Sequence, residues 1–229
     1  MTKINFLFIG IIIAFFHLNV HAQGVKIYKR GGTVITIPYT KLDSIVSQTE
    51  EEIDHDLWVD LGLPSGVKWA TRNIGASSPE DYGDYFAWGE TSPKETYYVW
   101  NNLTDGVNPG EISGNPKYDA AAANWGGGAR MPTEEECKEL ILHCTQTDTI
   151  INHVRGGLMI GPNGNRIFLP RAGHRSEHAI YQRGDMGEYW CSTPSEDYFQ
   201  EYANYFYVGS EYMNWWVRFW GRTVRAIHD

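Results

Sequence analysis

Cysteine is scarce in this chain: there are three in 229 residues, so at least one thiol stays unpaired under any pairing. Basic residues are also in the minority, with 19 Lys and Arg against 28 Asp and Glu and a net charge of −9. An acidic surface is repelled by phosphates, which argues against nucleic acid and against anionic membranes as partners. The apolar run from Ile4 to Phe16 falls short of the roughly 20 residues that span a bilayer comfortably. No internal repeat or low-complexity tract occurs. GxSxG, HExxH and EF-hand signatures are missing, which removes the commonest local signals of hydrolytic and calcium chemistry. Gly126-Gly127-Gly128 is followed by Ala129-Arg130-Met131-Pro132 rather than by the Lys-Ser/Thr of a phosphate loop. These glycines read instead as a tight turn beside Trp125, with Arg130 pairing to a carboxylate inside the fold.

What is present begins with a leader. Lys3 gives a positive start, the apolar run follows, and Val20-His21-Ala22 places small residues at the −3 and −1 positions of a cleavage site. Residues 1–22 are therefore expected to be a secretory signal peptide. No cysteine follows that site, so a lipid anchor is not indicated. Cleavage removes Lys3 and no acid, taking the charge to about −10. The expected product is exported to the periplasm, cell surface or medium, with no stable membrane insertion. Residues 23–46 read as a β-hairpin segment around Arg30-Gly31-Gly32-Thr33, ended by Pro38, with one further turn or strand from Lys41 to Val46. Residues 47–56 form an acidic linker that includes Glu50, Glu51, Glu52, Asp54 and Asp56. Residues 57–229 form the main domain.

In that domain one helix is well signalled. Thr133 and Glu136 make a capping box, and Cys137, Leu140, Ile141 and Cys144 recur on one face. A weaker helix is expected over Tyr118–Asn124, and a helical turn over Pro79–Tyr82. Short strands are expected at Ile167–Leu169, Tyr189–Ser192, Tyr202–Val208, Tyr212–Trp220 and Thr223–Ile227, with Gly209-Ser210 as a hairpin turn. The expected class is α+β, loop-rich, with short antiparallel strands and one or two helices.

Several segments together resemble one family. They are VDLGLPSGVKWATRNIGASSPEDYGDYFAWGE, NWGGGARMPTEEECKEL, GPNGNRIFLPRAG, EYWCSTP and GRTVRAI. They resemble the Fibrobacter succinogenes major paralogous domain family, common in exported proteins of gut Bacteroidetes, over roughly residues 57–229. The resemblance implies a C-type-lectin-like fold, in the branch shared with formylglycine-generating enzyme, and an exported binding or surface module. The leader hairpin also looks like a segment often found ahead of such domains. Family members often carry Cys where Arg72 stands, and the resemblance implies a bridge from there to the position of Cys144, which this chain cannot make. Ala226 stands where Pro is more usual.

The enzymes of that branch hold copper with a closely spaced cysteine pair near the C-terminus. Only Cys191 lies there, so the chemistry does not carry over and no cofactor is expected. Cys137 and Cys144 are two helical turns apart, about 10 Å, too far for a mutual disulfide. Either can bridge to Cys191 in an oxidising compartment, or both serve as small apolar residues of a buried helix face. His174 and His178 have the spacing of helical metal ligands, but Pro170 and Gly173 argue for a loop with a solvated His pair, and no metal site is expected. Asp43-Ser44-Ile45 and Asp148-Thr149-Ile150 resemble an O-glycosylation acceptor.

The aromatic C-terminal hairpin is the stronger lead. Strand alternation separates Met213, Trp215, Val217 and Phe219, expected in the core with Phe206 and Val208, from Tyr212, Asn214, Trp216, Arg218 and Trp220. With Tyr205 and Tyr207 of the partner strand, this second set mixes flat rings, an amide and a guanidinium. That is the composition of recognition surfaces, and it is the expected binding face for a glycan or protein ligand. The competing readings are a structural subunit of a surface assembly, paired through the leader hairpin, and an enzyme, oxidase-like or glycan-active, on fold analogy alone.

Overall fold

The computed structural model describes residues 24–28, 34–38, 57–104, 106–196 and 201–229, the first two stretches by their backbone alone. The expected signal peptide, the Arg30–Thr33 turn, the Lys41–Val46 element, Ser44 and the acidic linker lie outside the described residues. The chain divides into two units, Met1–Glu50 and Glu51–Asp229. In the first, β1 (Gly24–Tyr28) pairs antiparallel with β2 (Val34–Pro38), Gly24 facing Pro38 and Tyr28 facing Val34.

The second unit is α+β, with short antiparallel strands and two helices among the described residues. No helix among them is long and apolar enough to cross a membrane. β3 (Trp58–Asp60) and β4 (Lys68–Ala70) pair with each other, and β4 also pairs with β13 (Ile227–His228), so the domain's first and last strands share one sheet. β5 (Thr145–Ile151), β6 (Val154–Ile160) and β7 (Arg166–Pro170) form a second sheet, and β8 (His174–Ser176) pairs with β9 (Ala179–Tyr181). β10 (Glu188–Pro194), β11 (Tyr202–Tyr207) and β12 (Asn214–Val217) form a third three-stranded sheet in that order.

α1 (Ala120–Trp125) starts at Asp119, whose carboxylate accepts from the Ala121 and Ala122 amides. It also takes the Met131 and Gly114 amides, so one buried side chain closes three loops. Gly126, Gly127 and Gly128 then all have φ between 55° and 83°, the left-handed region that glycine enters without strain. α2 (Glu134–His143) starts at the expected capping box: Thr133 Oγ1 accepts from Glu136 N, and Glu136 accepts from Thr133 N. Glu136 also holds Arg130 at 2.6 Å, and Asp229 takes the same guanidinium. Thr133→Ala removes one arm of the box and is expected to cost about 1 kcal/mol in urea unfolding, most of which Thr133→Ser restores.

The structure corrects several expectations and adds one element; of the expected Thr223–Ile227 strand, only Ile227 lies in a strand, β13. Pro79–Tyr82 is a turn closed by Asp81 N donating to Ser78 O, not a helical turn. The GHRSEH segment is the β8–β9 hairpin, and His174 is buried instead of solvated. The C-terminal hairpin turns over 208–213 rather than at two residues, since Tyr205 pairs with Asn214. The β5–β6 hairpin was not anticipated; Asn152 and His153 turn it with φ of 47° and 68°.

Two apolar clusters pack on opposite faces of the β10–β11–β12 sheet. Tyr189, Phe206 and Val208 join Trp69, Cys137 and Leu140 on one face. Trp190, Ala203 and Tyr205 join Phe86, Trp88 and Ala226 on the other. The last segment knits the second cluster together. Arg222 exchanges backbone hydrogen bonds with Phe86, Arg218 O accepts from Trp88 N, Thr223 O from Trp190 N, Val224 O from Ile74 N, and Ala226 O from Ala70 N. Residues 69–90 are thus irregular in path yet tied down by the chain's end.

Candidate functional site

Arg218, Arg222 and Arg225 all have buried side chains, which is costly unless each guanidinium finds partners. Arg225 donates to Asn73 Oδ1, Ala70 O and Phe168 O at 2.8–2.9 Å, and burial lowers it to about 10. Arg218 donates to Tyr202 O and Val107 O, lies 4.2 Å over the Trp88 ring, and is likewise lowered to about 10 by burial. Arg222 donates to Glu188 Oε2 at 2.8 Å and packs on both Trp190 and Tyr205, 4.4 and 4.1 Å from their centroids, in the angle these two edge-to-face rings make.

Glu188 also faces His174, whose Nδ1 is 3.2 Å from the same oxygen, close enough for ionic contact though off the line of a hydrogen bond. Burial works to raise the Glu188 carboxyl, but His174 and Arg222 together hold it below its ordinary value of 4.5. A depressed carboxyl adds stability that is present above the unfolded pKa and is lost as pH falls through the folded one. Melting temperature is therefore expected to drop between about pH 5 and 3, and Glu188→Gln to flatten that slope. Glu136, lowered in the same direction by Arg130 against its own burial, keeps part of the slope in that variant.

Above this ion-pair floor runs a row of rings. Tyr181 of β9 stacks on His174 at 5.7 Å, His174 on Trp220 at 4.3 Å, and Trp220 leans on Trp216 of β12 at 5.3 Å. The two ends are open: Tyr181 is 45% exposed and Trp216 is 41% exposed. Trp220 is half-buried and 5.6 Å from Arg222, so the floor and the row touch. The β8–β9 hairpin, β12 and the turn that follows it supply the row.

The expected face residues fall into three groups. Trp216 and Tyr212 are exposed, Tyr212 at 74% on a turn held by Ser210 Oγ. Asn214, Tyr207 and Trp220 are half-buried; Asn214 spends its amide on Tyr212 O. Tyr205 is buried against Arg222 in the floor and Arg218 is buried over Trp88, a correction to the outward face on which alternation placed them. The reason is that loops cover both faces of the sheet at β10 and β11, so neither face is the solvent side. At β12, the edge of that sheet among the named strands, the cover ends. Trp215, expected in the core, is consequently as exposed as Trp216, on the opposite face.

A second feature lies beside Arg218, which donates to Val107 O in its lining. A cleft of about 340 Å³ is lined by Glu90, Thr91, Leu103, Thr104, Lys117 and Tyr118, among others. Its loop carries exposed Val99, Trp100 and Leu103, with Trp100 stacked on Tyr98 at 3.9 Å. Glu90 is spoken for by Lys94 Nζ and the Leu103 amide, both at 2.8 Å. Sequence reading missed this loop and the part played by His174 and Tyr181. Their only local signal was an aromatic or imidazole ring in a short strand.

Among the described residues, no three His, Cys, Asp or Glu side chains gather as metal ligands would. Comparison with protein-family models, with curated proteins and with solved structures found no match.

Proposed function

We propose that the chain is an exported, non-enzymatic recognition module that meets a glycan or a protein surface with the ring row from Tyr181 to Trp216. The observation that carries this reading is the row itself: four rings in contact, three of them stacked and Trp216 tilted against Trp220, fixed from below by Arg222 and Glu188 and open at both ends. Pre-ordered aromatic rings give contact area at low conformational cost, and their faces suit the C–H face of a sugar as well as an apolar side chain. Support for export comes from the leader sequence. The segments quoted above support membership of the Fibrobacter succinogenes major paralogous domain family, and the α+β architecture is compatible with the C-type-lectin-like fold that the family implies.

The test is capture of the purified chain on glycan and protein panels, repeated with Trp216→Ala and Tyr181→Ala variants shown to be folded by circular dichroism. Both are expected to lose the ligand that the wild type captures. Unchanged capture by both would remove the row as the site. The alternative of a structural subunit draws on the β1–β2 hairpin, because two strands alone are marginal in water and present free edges. An assembly that survives deletion of residues 23–46 would count against it.

A further inference from the structure

We propose that Cys137 and Cys191 form a disulfide, closed by thiol–disulfide exchange while the chain folds, and that Cys144 remains a free thiol. Cys137 lies in the first turns of α2 and Cys191 in the middle of β10, and their sulfurs are 2.8 Å apart. A covalent bond needs about 2.05 Å, so closure is a shift of less than about 1 Å. The approach is imposed by the backbone rather than by the sulfurs. Glu134 N donates to Thr193 Oγ1 at 2.9 Å, Ser192 N to Pro132 O at 2.8 Å, and the Asn204 amide to Glu134 Oε2 at 3.0 Å. The start of α2 is therefore fastened to β10 and β11 beside the two thiols. Cys144 caps the far end of the same helix, seven residues and about 10 Å along its axis from Cys137.

The folded protein protects the pair. Both side chains are buried, and burial pushes both thiols up, so thiolate is scarce once the core has formed. Exchange belongs to the unfolded or partly folded chain, with a small disulfide such as oxidised glutathione as the oxidant. The thiolate of one cysteine attacks the glutathione disulfide, forming a mixed disulfide and releasing one glutathione thiolate. The second cysteine's thiolate attacks the protein sulfur of that mixed disulfide and releases the other. Two electrons pass to glutathione, and the two protons given up by the cysteines end on the two glutathione thiols. The new bond then lies inside the core, out of reach of reductant, and joins α2 to the sheet whose edge carries Trp216.

The test is peptide mapping without reduction. The full chain is unfolded and reduced, refolded in a glutathione redox buffer, and alkylated in denaturant. One cross-linked pair joining Cys137 to Cys191 is expected, with Cys144 alkylated. The apparent melting temperature is expected to be about 5–10 °C above that of the reduced sample. Cys144→Ala should leave both results unchanged, and Cys137→Ala should abolish the shift. The same map on chain recovered from an oxidising secretory compartment should give the same pair. Alkylation of all three cysteines in both preparations, or a cross-link that contains Cys144, would overturn the assignment. Neither result depends on whether the ring row binds anything.

Discussion

Replacing Arg222 with alanine is expected to destabilise the domain by about 3–5 kcal/mol, the largest single effect of any substitution considered. The loss has two parts. Glu188, buried with its side chain 4% exposed, is left with His174 as its sole side-chain partner among the described residues and loses its guanidinium counter-ion. Trp190 and Tyr205 lose the guanidinium that both rings contact, leaving a cavity under Trp220. Urea unfolding measures it. In a domain of this size the melting temperature should fall by roughly 10 °C. The companion experiment replaces the pair together, Arg222→Met with Glu188→Leu, and is expected to cost clearly less than Arg222→Ala alone, because no charge is then stranded. Equal losses in the two variants would show that Arg222 acts by filling space and not by neutralising Glu188.

The second large effect concerns binding. Trp216→Ala and Tyr181→Ala remove the two open ends of the row without touching the floor. Central aromatic anchors typically cost 2 kcal/mol or more, so each substitution should weaken capture by about 30-fold or more. Trp215→Ala is the informative contrast. Trp215 is as exposed as Trp216 but points to the other face of β12, against Tyr202. It is expected to leave affinity within about 2-fold, an effect too small to mark an anchor. A ligand that instead adds a strand to the β12 edge would depend on backbone groups, and all three alanine variants would retain much of their affinity.

The sequence exposed local rules well and long-range ones poorly. The α2 start was legible because Thr133 and Glu136 satisfy each other within one turn, β7 because a short apolar run ends at Pro170, and β10 because of the short run at Tyr189–Ser192. The β5–β6 hairpin escaped notice although Thr145, Thr147, Thr149 and Ile151 alternate toward an Asn-His turn. Its outward residues are mostly polar, its one outward isoleucine, Ile150, breaks the alternation, and Gly156 and Gly157 in β6 hide the second strand. At the site, period-two alternation sorted Tyr205 with Trp216 correctly, since the register does place them on one face. It could not say that loops bury that face at Tyr205 and leave it open at Trp216. The burial of Arg218 has the same origin: its acceptors, Tyr202 O and Val107 O, are remote in sequence. His174 and Tyr181 join the row through a separate hairpin, which no local pattern could align with β12.

The opening stretch of the domain, Trp58 to Glu90, is framework on the same argument. Its backbone amides at Ala70, Ile74, Phe86 and Trp88 all donate to the final segment, and Trp88 Nε1 donates to Cys191 O across the core. The large aromatic residues most open to solvent lie elsewhere, on β9, on β12 and the turn before it, and on the loop that carries Trp100. That loop makes the decisive comparison possible, because Trp100, at 74% exposure, is a more accessible tryptophan than Trp216 and takes no part in the row. Binding of the captured glycan or protein should be measured by titration calorimetry for wild type, Trp216→Ala and Trp100→Ala in parallel. The account predicts affinity lost in Trp216→Ala and kept in Trp100→Ala; affinity kept in Trp216→Ala and lost in Trp100→Ala would contradict it and move the site to the cleft beside Leu103.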